Sequence, residues 1–395
     1  MACARVVNMK RVLTAMAVVG GAMLVAGAGG SETPRKAGYV VLKGTPYQRG
    51  LTHGRVLRAE IQASVAAWKE SLRRTYGTDP ERFIRAFMAR TNFQPAIEKW
   101  TPGLLDEVRG IAEGSGIGFD ALFVYQLPDE YWVNGKAVMS EHCSGVAVAG
   151  IEGRSAIVAQ NLDMEKFRDG HQTVLRIVED DGTEALVFTQ AGLVAFNGMN
   201  NRGVGVTVNT LTQLANSRTG LPVAFVVRGI LRTKSFEEAV KFVKAVPHAS
   251  GQNYMIGGDG QVADFEAAAG AVVAVTPRAQ GVYLHTNHPL ANTDYSRGYR
   301  PGEESKPSST TGRFSALESR LAGSARPDSE LVKAALRSRD SAQFPVCVRK
   351  SDTVDPDSSF TYGSAVMVLA KRPELWLTVG PPDGQEYQRY SFVSQ

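Results

Sequence analysis

The residue in this 395-residue sequence best placed for chemistry is Cys143. It lies where text of helical period gives way to text of strand period, and Ser144-Gly145-Val146-Ala147-Val148 leads from it into a strand. About one hairpin later comes Gln160-Asn161-Leu162-Asp163. A cysteine at the start of one strand and a polar cluster at the end of the next meet side by side when the strands pair antiparallel. A thiolate there is a nucleophile, and a neighbouring polar group can orient it. The bland alternative is a buried cysteine acting as a small hydrophobe. Asp163, Asn209 and Asn287 likewise have ordinary alternatives in turn and cap chemistry. Cys347 reads as structural, and a Cys143–Cys347 disulfide is the competing use of both thiols.

Other chemistries lack their motifs. There is no Walker loop, no HExxH, no GxSxG and no CxxC, and no strand-GxGxxG-helix context, so no cofactor is expected. Six histidines are scattered at 53, 142, 171, 248, 285 and 288. His285 and His288 flank Thr286-Asn287, but no third ligand is placed near them, so no metal is expected.

The elements that must position these residues follow from periodicity. A strand is expected at 39–43. A helix runs from about Tyr47 to Tyr76, with Ile61, Val65, Trp68 and Leu72 at helical spacing, and more helical text spans Pro80 to about Gly114. From Met139 the texture is strand-like: 146–149, 156–159, 173–178, 185–189 and 203–208. Helical text fills 222–245. Strands return at 254–256, 262–265, 272–275 and 282–285, helices at 313–321 and 329–336, and strands at 363–369 and 375–379. Residues 291–312 and 350–362 read as loops. Clustered strands with clustered helices argue an α+β fold, helices packed on antiparallel sheets.

Several stretches carry a resemblance. These are Glu141-His142-Cys143-Ser144, Ala159-Gln160-Asn161-Leu162-Asp163, Thr189-Gln190-Ala191-Gly192, Asn197-Gly198-Met199-Asn200 and Gly203 through Asn209. Thr45 through Gly50 with His53-Gly54, and His285-Thr286-Asn287-His288, agree with them. Taken in order, they resemble the acyl-coenzyme A:6-aminopenicillanic acid acyltransferase family. These are N-terminal nucleophile hydrolases that use cysteine, related to choloylglycine hydrolases and acid ceramidase.

The resemblance implies an αββα sandwich and self-cleavage of a precursor at His142–Cys143, which makes Cys143 the nucleophile. It also implies that Asp163 orients the freed amine, that Asn209 and Asn287 lie near the oxyanion or the amine, and that Arg349 approaches the nucleophile from the C-terminal region. Ser144 and Leu162 depart from the threonine and aromatic residues common in relatives, which leaves the fold expectation intact and opens the substrate.

Composition bounds the setting. The chain is 43% hydrophobic and 21% charged, which excludes a disordered protein. Residues 1–28 read as a secretory signal: Arg5, Lys10 and Arg11 precede an apolar run from Val12 to Val25 and the small residues Ala26-Gly27-Ala28. Their removal takes three basic residues and no acidic one, so 44 against 39 becomes 41 against 39, and +5 becomes +2. No other run of about 18 apolar residues follows, so no stable membrane insertion is expected after signal removal. Basic residues are dispersed among acidic ones, which argues against nucleic acid.

The expected organisation is 1–28 signal peptide, 29–142 a helical N-terminal segment and 143–395 the catalytic domain, the two cleaved chains staying associated. The expected activity is an exported (periplasmic or secreted) thiol amidohydrolase that cleaves a linear N-acyl amide. The alternatives are an acyltransferase passing the acyl group to a small amine, and a non-catalytic envelope binding protein on the same fold.

Overall fold

The computed structural model describes residues 35–392 apart from 134–142, 152, 279–280, 303–307, 325 and 353. The expected signal at 1–28 and His142 of the expected cleavage bond lie outside these residues. Strand β1 (Gly38–Leu42) opens the chain and leads into helices. Thr45 caps α1 (Pro46–Val56) in a reciprocal pair with Gln48, and Pro46 takes the first turn, where its missing N–H costs nothing. The expected helix from Tyr47 to Tyr76 is in fact two, α1 and α2 (Arg58–Tyr76). The break is at Leu57, a buried residue that leaves helical geometry with no glycine or proline to announce it. The helices α3 (Pro80–Arg90), α4 (Gln94–Trp100), α5 (Leu104–Ser115), α6 (Phe119–Tyr125) and α7 (Pro128–Val133) follow.

Gly50 and Gly54 on α1 face Gly110 and Gly114 on α5. A Cβ built on Gly50 would lie 1.9 Å from the Glu107 carbonyl oxygen, and one on Gly110 would lie 2.2 Å from that of Tyr47. The two helices therefore touch backbone to backbone, which only glycine permits.

The hairpin of β2 (Ser144–Val148) and β3 (Ala156–Glu165) pairs Ser144 with Asn161 and Gly145 with Gln160. The second strand, expected to end at Ala159, continues through the polar text to Glu165, and the amides of Gln160 and Asn161 meet partners on either side of it. Gln160 accepts from Asn197 Nδ2 at 2.8 Å and donates to the Val208 carbonyl, while Asn161 donates to the Leu336 and Val346 carbonyls at 2.8 and 3.0 Å. The chain then forms β4 (Gln172–Val178), β5 (Glu184–Gln190), β6 (Asn197–Asn200), β7 (Gly205–Thr210), α8 (Val223–Ile230) and α9 (Phe236–Ala245). Next come β8 (Gln252–Gly258), β9 (Gln261–Ala267), β10 (Val272–Ala274) and β11 (Val282–His285). Then α10 (Ser309–Leu321), α11 (Ser329–Leu336), β12 (Ser359–Leu369), β13 (Glu374–Val379) and β14 (Gln388–Ser391) close the fold.

Two sheets result, ordered β1-β4-β5-β6-β7-β8-β9-β10 and β11-β2-β3-β12-β13-β14. Pairing is antiparallel as expected, except that β1 joins β4 in parallel. The sheets stack through β2 and β3 against β7, β8 and β9. Helices α8 and α9 cover the eight-stranded sheet, and α10 and α11 cover the six-stranded one. This is the αββα sandwich.

Alternation on the hairpin feeds two cores. Ala147 and Val158 point between the sheets, while Val146, Val148, Ile157 and Ala159 pack with Leu317, Leu321 and Leu336 of the outer helices. Burying each such aliphatic side chain contributes roughly 1.5–3 kcal/mol, so both faces of the hairpin are firmly held.

Candidate active site

Cys143 sits just ahead of β2, is buried, and lines a narrow, largely apolar cleft of about 30 Å³. Leu162 and Met164 on β3, Leu193, Phe196, Val208 on β7 and Val223 on α8 wall the cleft. Cys143 and Cys347 are not joined to each other: both are thiols. Cys347 is buried away from solvent, and burial pushes its thiol far up, as befits a structural residue.

The residue that ties the site together is Arg313. The polar run Ser308-Ser309-Thr310-Thr311 is the start of α10, capped reciprocally by Ser308 and Thr311, and it sets Arg313 one turn inside the helix. Arg313 is fully buried. Its guanidinium donates to the Cys143 carbonyl, to Ser144 Oγ at 2.9 Å and to Asn287 Oδ1 at 3.0 Å. Burial lowers its pKa to about 10, and the nearby Asp163 and Cys143 work against that fall.

Asp163 lies on the same face of β3 as Asn161, opposite Thr361 of β12. Neither of its oxygens has a hydrogen-bond partner among the described residues. Burial raises its pKa from 3.8 to about 7, although the Arg313 charge pulls it back. It is a carboxyl poised to change charge near neutrality.

The two asparagines converge from different elements. Asn209 on β7 gives its Nδ2 to the His285 and Thr286 carbonyls at 3.0 and 3.4 Å. A Cβ on Gly145 would come 3.3 Å from that nitrogen, so Asn209 underlies the start of β2. Asn287 follows β11. Its Nδ2 donates to the Thr210 carbonyl at 3.1 Å, and its backbone N–H donates to Thr310 Oγ1 at 2.8 Å.

The turn carrying Asn287 is held by buried charge. His285 Nδ1 faces the Thr286 carbonyl at 2.6 Å and Nε2 faces Glu266 at 2.8 Å. Two acceptors at the two ring nitrogens require an imidazolium. Burial lowers the pKa of His285, but Glu266 and Asp264 outweigh this and raise it overall. Glu266 also accepts from the backbone N–H groups of Leu290, Ala291 and Asn292 at 2.5, 2.9 and 2.6 Å.

Thus Cys143, Asn209 and Asn287 come together, and Asp163 is linked to them electrostatically through Arg313. Arg349 does not join them. It is half-exposed, and its guanidinium pairs with Asp383 at 2.7 Å. The arginine at the cysteine is Arg313, which the sequence reading placed at the very start of a helix following a loop. The cue that could have found it is the Ser308…Thr311 capping pattern. A second group that sequence reading missed is Asp129 on α7, which lines the cleft and whose Oδ2 accepts from Thr210 Oγ1 at 3.0 Å and Gln252 Nε2 at 2.6 Å.

Among the described residues, no group of three or more His, Cys, Asp or Glu is placed to hold a metal ion. His288 turns instead to Thr310 Oγ1 at 2.8 Å. No helix among the described residues is long and apolar enough to cross a membrane.

Comparison with known proteins gives the site its context. An acyl-coenzyme A:6-aminopenicillanic-acid-acyltransferase (40 kDa form) of Emericella nidulans is 25% identical over 258 residues, covering 64% of this chain and 70% of that protein. Among solved structures, a conjugated bile acid hydrolase from Clostridium perfringens matches 64% of this chain and 97% of its own, at 14% identity and TM-score 0.39. An N-acylethanolamine-hydrolyzing acid amidase ortholog from Caenorhabditis elegans matches 57% of this chain and 92% of its own, at 16% identity and TM-score 0.40. The family model described as acyl-coenzyme A:6-aminopenicillanic acid acyl-transferase matches residues 151–361, more than half of the sequence and most of the residues that build the site. This chain therefore belongs to the acyl-coenzyme A:6-aminopenicillanic acid acyl-transferase family.

Proposed function

We propose that the protein is an exported, self-processing thiol amidohydrolase that cleaves a linear N-acyl amide through a thioester on Cys143. The observation that carries this reading is a buried cysteine at the head of a strand, opening on an apolar cleft, with its own carbonyl clamped by a buried arginine. Maturation would proceed by attack of the Cys143 thiol on the carbonyl of residue 142, an N-to-S acyl shift, and hydrolysis. The freed α-amine, with an ordinary pKa of about 7.7–8.0, then serves as base for its own thiol. Asp163 holds that amine, and Arg313 fixes residues 143 and 144 while it polarises the neighbourhood.

The asparagines divide the remaining work. Asn209 spends both N–H bonds on the two carbonyls beneath the site and so positions the Asn287 turn. Asn287 has one amide N–H beyond its bond to Thr210, and it is the donor offered to the oxyanion of the tetrahedral intermediate. An N-terminal segment 29–142 stays bound after cleavage. Its support is the pairing of β1 with β4 and the bonds of Glu130 to Val223 N–H and Ser250 at 2.8 and 2.9 Å.

Hydrolysis is favoured over transfer, because an exported protein meets abundant water and little acyl-coenzyme A. The second reading, transfer to a small amine, rests on the name of the Emericella nidulans relative. Product analysis of a purified, matured sample with and without an added amine separates the two. Free acid in both samples supports hydrolysis, and a new amide formed at the expense of acid supports transfer. Loss of turnover in Cys143→Ala is expected in either case, and unchanged turnover would overturn both.

A further inference from the structure

The cleft beside Cys143 is mostly apolar; Gln126 and Thr210 also line it, and Asp129 is its one acidic lining residue among the described residues. Asp129 lines it, nine-tenths buried, with the carboxyl held from the sheet side by Thr210 and Gln252. No lysine or arginine lines the cleft among the described residues. The next residue, Glu130, is buried as well. A buried carboxyl facing an apolar cleft is costly to ionise unless a positive group meets it. The two bonds that reach Asp129 are both donations to one oxygen, so the group is held as an acceptor.

Asp129 is also coupled to the reacting end of the site. Thr210 donates its hydroxyl to Asp129, and its carbonyl receives the Asn287 amide, which in turn accepts from Arg313. An apolar wall ending in a carboxyl acceptor fits an apolar chain that ends in a positive donor.

We propose that Asp129 selects the substrate's acyl group: the cleft takes an apolar acyl chain that carries an ammonium group remote from the scissile carbonyl, and it rejects one that carries a carboxylate. This selection rests on the reading of Cys143 as the acylated nucleophile. Burial raises both Asp129 and Glu130, and Asp129 raises Glu130 further. The other groups bearing on Asp129 are Glu165 and Arg168, which are paired with each other at 2.6 Å, and Tyr254, whose hydroxyl is pushed further up by both acids. An ammonium in the cleft supplies the missing positive charge and holds Asp129 ionised.

The test uses full-length matured protein and three chromogenic anilides of matched length: hexanoyl, ω-aminohexanoyl and the carboxylate-ended hexanoyl analogue. At about pH 8 an alkyl ammonium is still charged. The expected order of kcat/KM is amino above neutral above carboxylate, with an amino-to-neutral ratio of about tenfold or more, which Asp129→Asn reduces to near unity. Neutral or carboxylate chains preferred by the wild-type protein would overturn the proposal without reference to any variant. Calorimetry on the matured wild-type protein with 6-aminohexan-1-ol and hexan-1-ol, which hold no amide to cleave, reads the same preference without turnover. Tighter amine binding there supports the selection even if no anilide is hydrolysed, an outcome that would overturn the thiol-hydrolase reading instead. Turnover of all three anilides at equal rates would sink the selection and leave that reading standing.

Discussion

Two buried arginine–carboxylate clusters in this molecule use the same residue types at the same depth and come out opposite. Between α1, α5 and α8, Glu107 receives Arg228 in two bonds of 2.6 and 3.0 Å and Arg49 at 3.4 Å. Burial pushes Glu107 up, but the arginines outweigh it and hold the pKa at about 2. At the site, Asp163 has Arg313 nearby but no hydrogen bond to either oxygen, and burial wins: its pKa stands at about 7. Arg313 spends its donors on Cys143, Ser144 and Asn287 instead. A buried carboxylate that is fully met is a structural rivet. One left unmet near a buried cysteine is a group whose protonation can change near neutral pH.

The comparison breaks most sharply on substitution. Glu107→Gln should cost about 3–5 kcal/mol of unfolding free energy, because the buried Arg228 guanidinium loses its paired carboxylate and Arg49 is left with Glu179 alone among the described residues. In the same denaturant titration near pH 7, Asp163→Asn should be as stable as wild type or more so, since it removes the cost of ionising a buried acid, while its turnover falls about 100-fold or more. Equal stability losses in the two variants would erase the distinction. Arg313→Met should slow self-cleavage and turnover about 100-fold, read as the rate at which the two-chain form appears and as kcat with a matched substrate.

The two clusters should also slope in opposite directions with pH. Glu107 is depressed, so its stabilisation is present above its unfolded pKa near 4.5 and is lost as pH falls toward about 2. Asp163 is raised, so the folded state holds a proton the unfolded state has released. Its cost to stability therefore grows as pH rises from 3.8 to about 7. Thermal midpoints across pH should flatten on the acid side in Glu107→Gln and between about pH 4 and 7 in Asp163→Asn. Arg349→Ala, which removes only an exposed pair with Asp383, should change stability by less than about 1 kcal/mol and leave the rate of self-cleavage as it is.

What the sequence made legible, and what it hid, follows the same line. The hairpin that sets Ser144 opposite Asn161 could be read, because strand period and turn residues are local signals. The convergence of Cys143, Asn209 and Asn287 was legible only through ordered motifs, since tertiary distance has no local signature. Arg313 was hidden because an arginine on a helix of modest amphipathicity reads as solvent-facing. Arg349 was chosen by its place in the C-terminal region, which does not fix where a loop residue points. Gln160, Asn161 and Asp163 looked like a strand end because their polarity suits a turn. They continue the strand because Gln160 and Asn161 meet partners from β6, β7 and α11, and β12 pairs along the stretch through Asp163.

Intact mass spectrometry of the purified wild-type protein and of Cys143→Ala tests the proposed maturation most directly. The wild type should give two polypeptides, the longer beginning at Cys143 and ending at Gln395, and the variant should give one uncut chain without thiol-dependent amidase activity. A wild-type protein that stays in one piece, or a Cys143→Ala variant that still matures and turns over substrate, would contradict it.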